Sequence, residues 1–428
     1  MSLTVVDLFC GAGGLSEGFR QAGFKSLVGT DFDPWAGATF TWNHAKHGTK
    51  FVLGDLRDRD VKDALNAAIG SKPVDVVVGG PPCQAFSQVR NHQRIIDDPR
   101  NSLYREFVKV VADLSPRIFV MENVPGLQSL AGGEVRAQIL EDLRIGGRYR
   151  VQSQVLDAAD YGVPQVRERV IFIGVRSDLG LEPSFPERKR VAANLKLLRT
   201  KEARYDLAAA GERFEELKRK LLDDDSFECV TVWQAISDLE HICPSAKLVR
   251  KPSDEHVGYE APPLTAYQRE RRRGSSALFN ADCPSIRQDT VLRLQAVPNG
   301  GNYRDIPEEL QVRYLSGQKW GPELGRELLS RKYFFAYRKL HPDYFSWTLN
   351  TKADCVFHYN AARALTVREF ARLHSFDDTY HFVSGDRHSR YRQVGNAVPP
   401  LLAKAIGEAV QKLLLSVKPP VEEVSAAA

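Results

Sequence analysis

The chain has 428 residues, of which 43% are hydrophobic and 26% charged, and a formal net charge of +5 at pH 7. That length allows one large catalytic domain with a smaller inserted or appended one, and no apolar run approaches the ~20 residues needed to cross a bilayer. The six cysteines, Cys10, Cys83, Cys229, Cys243, Cys283 and Cys355, are scattered without a C-x-x-C pair, which argues against a zinc site and a disulfide framework; the positive balance admits a polyanionic partner without requiring one.

The opening MSLTVVDLFCGAGG enters a glycine-rich turn with no basic leader or small-residue cleavage pattern, as in an intracellular protein. From Thr4 to about Gly174 the runs LTVVDLF, KSLVGTD, KFVLGD, VDVVVGG, RIFVMENV and RVIFIGV alternate with amphipathic stretches. This rhythm predicts a parallel sheet flanked by helices, an α/β class. SLYREFVKVVAD, from Ser102 to Asp113, puts Leu103, Phe107, Val110 and Val111 on one face and reads as a crossover helix. After about Arg176 the rhythm breaks, residues 185–225 become charged and helical in pattern, and a boundary is placed near residue 184. Beyond it QRERRRG, VPNGGNYRD and RKYFFAYRKLHPDYFSW mix cations with rings, which suits a nucleic-acid surface, although the arginine run fits a solvated face equally. LTVREFARLH and PPLLAKAIGEAVQKLLL read as amphipathic helices, and VKPPVEEVSAAA as a frayed tail.

Four segments carry chemistry. Asp7 to Gly14, DLFCGAGG, runs a strand into a turn whose missing β-carbons let backbone approach a ligand; it lacks the lysine and Ser/Thr of a phosphate P-loop. Asp31 and Asp55 end the next two strands, where such acids accept from ribose hydroxyls or an adenine amino group, or simply cap a turn or helix. Gly79 to Ser87, GGPPCQAFS, presents Cys83 in a Gly/Pro loop among polar neighbours, the setting of an accessible nucleophile rather than a packing cysteine. Cys10, inside the glycine turn, reads as a small packing residue. Glu122, in MENVP, ends another strand and can act as an acid or hydrogen-bond donor, or belong to a turn. In QVRER, alternation puts Arg167 and Arg169 on one face, toward one anionic or carbonyl-bearing ligand, unless they are plain surface arginines.

DLFCGAGG, GGPPCQAFSQ, ENVPG, QVRER and RQVGNAVPP stand in the order seen in the cytosine-5 DNA methyltransferase family, and the chain resembles that family over roughly its first 180 and last 85 residues. The resemblance implies a doubly wound, Rossmann-like S-adenosylmethionine-dependent sheet domain at 1–183, a smaller target-recognition domain at 184–388, and a C-terminal segment, 389–428, returning to the first, with the DNA cleft between the domains. It implies that Cys83 adds to carbon 6 of cytosine, that Glu122 holds and protonates ring nitrogen 3, and that Arg169 steadies cysteine and base. Arg167 stands beside them as a contributor to structure or phosphate contact. Phe9, Gly11, Gly13, Gly14, Asp31, Asp55 and Pro82 match the cofactor pocket, which Asn396 completes. The base must leave the duplex to react, so the stretch from Phe86 to Asn101 becomes a lid, and Gln84, Ser87, Arg90 and Arg100 become candidate DNA contacts. SWTLNT, Ser346 to Thr351, resembles the penultimate family motif without its proline-rich form. The implied partner is double-stranded DNA, with a cognate restriction endonuclease in the same system. The enzyme would be a cytoplasmic monomer of prokaryotic modification type. Two alternatives stand beside this reading: a tRNA cytosine-5 methyltransferase, and a silent DNA-binding relative, which should have lost the cysteine or the glutamate.

Overall fold

The computed structural model describes residues 2–82, 102–128, 133–188, 230–243, 256–282, 284–310 and 336–416. The chain divides into two compact units that interleave in sequence: 1–156 with 168–187 and 402–428, and 157–167 with 188–401.

The first unit holds a seven-stranded sheet built from β1 (Thr4–Leu8), β2 (Lys25–Asp31), β3 (Lys50–Leu53), β4 (Val76–Gly79), β5 (Ile118–Asn123), β6 (Tyr149–Asp157) and β7 (Glu168–Arg176), in the order β3-β2-β1-β4-β5-β7-β6. β1 and β4 are buried along their whole length, as central strands covered on both faces are, and valines dominate them. The helices between the strands of the sheet include α1 (Gly14–Gln21), α2 (Pro34–His44), α3 (Arg59–Ile69), α4 (Ser102–Leu114) and α5 (Glu134–Leu143). Asp33 caps α2 by accepting from the backbone of Trp35 and Ala36, with Pro34 at the first helical position. On α4, Phe107, Val110 and Val111 are buried in the main core with Val6, Leu8, Val77, Phe119 and Met121.

The sheet is not wholly parallel, as the sequence rhythm predicts. β1 to β5 pair in parallel, and β7 runs antiparallel to β5. Only residues 158–167 separate β6 from β7, too few for the helical crossover that another parallel strand needs. A further helix, α6 (Pro400–Ser416), closes this unit. A Cβ on Gly18 would stand 2.3 Å from the Ala403 Cβ, and one on Gly407 2.8 Å from that of Ala22, so glycine at both positions lets α1 and α6 meet closely.

Among its described residues the second unit holds short helices. Its described helices are α7 (Val232–Ile236), α8 (Ala266–Arg271), α9 (Gln288–Ala296), α10 (Val367–Leu373) and α11 (Arg387–Asn396). Beside buried apolar residues such as Leu365, Phe370, Leu373 and Phe376 this unit holds buried ion pairs: Arg372 binds Asp378 at 2.6 Å and Asp238 at 3.0 Å, and Arg363 grips both oxygens of Glu369 at 2.8 Å. Arg368 donates to the carbonyls of Phe279, Asp377 and Tyr380. Such pairs are costly to break from one side, because the orphaned charge stays out of water. Cys243 is fully buried and disulfide-bonded, although the cysteine spacing suggests no bridge.

Candidate active site

In an open sheet, ligands gather at the carboxyl ends of the strands where the winding reverses. Here that point lies between β1, whose chain winds outward through β2 and β3, and β4, which leads to β5 on the other side. The glycine turn follows β1 and the GGPP turn follows β4.

Phe9, Gly11 and Gly13 all adopt left-handed backbone, with φ of 56°, 54° and 89°. The strain at Phe9, which has a side chain, is held by packing against the core and by Cys10 N donating to Thr30 O at 3.0 Å. Gly14 opens α1. A Cβ on Gly11 would have no neighbour within 4 Å, so open space faces the turn there. Asp31 shapes this cradle: it accepts from Gly11 N at 2.8 Å and from Asp33 N at 2.9 Å. Burial raises its carboxyl above the ordinary value, against the lowering effect of those backbone donors. Asp55, at the end of β3, is already engaged, with its carboxylate receiving the Arg57 guanidinium at 2.5 Å. Cys10 is buried and its thiol is pushed up by burial, as suits a packing residue. Phe32, directly after Asp31, is 64% exposed. Sequence reasoning gave this exposed ring no role; the cue was a lone apolar residue between two aspartates at a strand end.

Asp7, wholly buried in β1, anchors the other side of the turn by accepting from Ser16 N at 3.1 Å and Ser16 Oγ at 2.7 Å, while its Oδ1 has no partner. Burial pushes its carboxyl up to about 7 from 3.8. Folding therefore favours the protonated form, a contribution present below the unfolded value and lost as pH rises through about 7. Asp7→Asn is expected to flatten the fall in stability between about pH 4 and 7, which melts of both proteins across that range will measure.

At the β4 and β5 ends the fit is tight. A Cβ on Gly79 would lie 2.6 Å from Leu8 O, so close backbone approach requires glycine there, and one on Gly80 would lie 3.0 Å from Glu122 Oε2, which places that turn against the carboxyl group. Asn123, 5% exposed, donates from Nδ2 to Pro81 O at 3.1 Å and fixes the proline turn; sequence reading gave it no role of its own. Arg169 Nε lies 2.6 Å from Glu122 Oε1, each side chain 13% exposed. The structure thus brings Gly80, Pro81, Glu122 and Arg169 together, with Pro82 as the last described residue of the turn. Cys83, bonded to Pro82, lies outside the described residues, as do Gln84, Ser87, Arg90, Arg100 and the proposed lid.

Arg167 and Arg169 do not converge on one ligand. Arg169 belongs to the first unit and Arg167 to the second, where Arg167 is 1% exposed and spends its guanidinium on the carbonyls of Leu349, Gly395 and Ala397. Asn396, the last residue of α11, is exposed in that same unit. Of the basic run QRERRRG, Arg269 and Arg273 are exposed, but Arg271 is buried and Arg272 reaches Asp238 at 2.5 Å with its guanidinium 3.8 Å from the Tyr259 ring centre. VPNGGNYRD is folded inward: Val297, Tyr303 and Ile306 form a small core, and Asn302 is 2% exposed. Lys339 donates to the carbonyls of Leu294 and Val297. Among the described residues, no group of three or more His, Cys, Asp or Glu side chains could hold a metal, and no helix is long and apolar enough to cross a membrane.

Fold and site define a doubly wound α/β, Rossmann-like sheet with a carboxylate-arginine pair at the carboxyl ends of its strands. A family model for C-5 cytosine-specific DNA methylases matches residues 3–412. The type II methyltransferase M1.HphI of Haemophilus parahaemolyticus is 37% identical over 415 residues, 96% of this chain and 88% of that protein. M.AgeI of Thalassovita gelatinovora, also a type II methyltransferase, is 33% identical over 451 residues, 96% of this chain and 99% of the other. A crystal structure of a proposed DNA modification methyltransferase encoded within an E. coli prophage shares the fold, with a TM-score of 0.65 at 23% identity, covering 97% of this chain and 100% of that one. The chain belongs to the C-5 cytosine-specific DNA methylase family and is, by that membership, a DNA (cytosine-5-)-methyltransferase.

Proposed function

We propose that this enzyme methylates carbon 5 of a flipped-out cytosine in a specific duplex sequence through a covalent adduct with Cys83. The observation that carries the reading is the packing of the GGPP turn against Glu122, itself paired with Arg169 at 2.6 Å.

S-adenosylmethionine fits the cradle chemically. It presents hydroxyls, an adenine amino group and positive charge, and the turn offers the open space at Gly11, the carboxylate of Asp31 and the exposed Phe32 ring, with no P-loop lysine to ask for phosphate. Phe9, Gly11, Gly13, Gly14, Asp31, Pro82 and Asn396 are the residues that would hold it. Asp55 contributes only if it releases Arg57. When bound, the cofactor supplies an electrophilic methyl group.

The chain's own residues do the rest. The Cys83 thiolate adds to carbon 6 of cytosine, and the electron pair displaced from the 5,6 double bond makes carbon 5 nucleophilic. Glu122 delivers a proton to nitrogen 3, and Arg169 keeps that carboxyl group oriented. After methylation, loss of the carbon-5 proton returns its electron pair to the ring and expels the thiolate. None of these atoms is reachable in stacked DNA, so the base must swing out, and the stretch from Phe86 to Asn101 would close over it with Gln84, Ser87, Arg90 and Arg100 toward the DNA. Residues 184–388 would read the sequence. The type II relatives support a modification role beside a cognate endonuclease in a prokaryotic cytoplasm.

Transfer of label from S-adenosylmethionine to unmethylated plasmid DNA, run beside tRNA, tests this reading. Label in DNA as 5-methylcytosine is expected. Label in tRNA alone, or in neither, would overturn it.

A further inference from the structure

Four segments far apart in sequence meet in the second unit, and three side chains tie them. Gln165, Arg167 and His374 are at most 1% exposed. Arg167 Nη1 donates to Leu349 O at 2.9 Å, and Nη2 donates to Gly395 O at 2.6 Å and to Ala397 O at 3.2 Å. His374 Nε2 lies 2.8 Å from the same Ala397 carbonyl. A carbonyl can only accept, so Nε2 carries the proton, and Nδ1 accepts from the Gln165 amide at 3.0 Å. Gln165 completes the ring by accepting from Leu349 N at 2.9 Å and donating to Leu373 O at 3.3 Å. The carbonyls so held are those on either side of Asn396. Gly395 has no room for a side chain, since a Cβ would stand 2.2 Å from Asn350 O. Asn396 itself is exposed. The arrangement is a rigid turn presenting one free polar side chain, as preorganised binding requires.

We propose that Gln165, Arg167 and His374 are positioning residues that lock the Asn396 turn and thereby set affinity for S-adenosylmethionine, without touching the reacting atoms. This rests on the reading of Asn396 as a cofactor residue. A buried arginine whose charge is spread over three carbonyls is matched to that task by its planar fork, which a lysine cannot reproduce.

The test uses the full chain and compares Arg167→Lys, His374→Ala, His374→Gln and Asn396→Ala. Cofactor Kd is measured by calorimetry, KM and kcat at saturating DNA, and hydrogen exchange at the Ala397 amide, which donates to Val394 O. Expected is a rise of about tenfold in Kd and KM for Asn396→Ala, Arg167→Lys and His374→Ala, with kcat within about threefold. Faster exchange at Ala397 should appear in the two clamp variants. His374→Gln, whose amide nitrogen can stand where Nε2 does, should restore both. His374→Ala combined with Asn396→Ala should be no worse than either alone. If Asn396→Ala raises Kd while the clamp variants do not, or if they lower kcat with Kd unchanged, the positioning role is overturned. If Asn396→Ala leaves Kd unchanged, the cofactor reading of Asn396 fails instead. Should Arg167→Lys not fold, the His374 pair decides.

Discussion

Cys83→Ser is expected to bring methyl transfer down by at least about 10³-fold while DNA and cofactor binding stay near those of the parent, since loss of a covalent nucleophile has cost as much as ~10⁶ in other enzymes. Serine nearly matches cysteine in shape, so the turn packed on Glu122 and Asn123 has no reason to change. What it lacks is a usable anion at neutral pH. A second measurement separates lost chemistry from lost binding. In DNA carrying 5-fluorocytosine at the target, carbon 5 has no proton to give up, so the ring cannot expel the thiolate after methylation. A protein-DNA species stable to denaturation should accumulate with the parent enzyme and be absent with Cys83→Ser. Turnover by the variant within tenfold of the parent, or an adduct that forms without Cys83, would sink the covalent mechanism.

The parts of this molecule legible in the sequence are those where local pattern and burial agree. β1 and β4 are rich in valine and buried throughout, and Gly79 stands out because a Cβ there would lie 2.6 Å from Leu8 O. β6 was not legible: its residues YRVQSQVLD are largely polar and only its ends are buried, as an edge strand permits. Nor was the second unit. Arg368 and Arg372 read as the polar face of an amphipathic helix and Arg271 as part of an exposed basic run, yet all three are buried with carboxylates or carbonyls reached across as many as 134 residues of chain. A charge pattern gives no notice of a partner that distant. The same holds for QVRER, where alternation puts Arg167 and Arg169 on one face but cannot tell that the chain passes from one compact unit to the other between them.

That division gives the two arginines opposite expected phenotypes. Glu122→Gln preserves volume and leaves Arg169 without its carboxyl partner at 2.6 Å, and it removes the group assigned to deliver a proton to nitrogen 3. A drop of roughly 10²- to 10⁴-fold in the single-turnover rate is expected, the range of general acid catalysis, with DNA affinity changed little. Arg169→Ala acts on the same carboxyl group, so the double variant should be hardly slower than Glu122→Gln alone. Arg167→Lys, by contrast, should leave the chemical rate nearly intact and weaken cofactor binding. Single-turnover rates for the four proteins, with cofactor saturating, settle the matter. Multiplicative losses from Glu122→Gln and Arg169→Ala would mean that the two side chains act independently on the base, and the orienting role assigned to Arg169 would have to be abandoned.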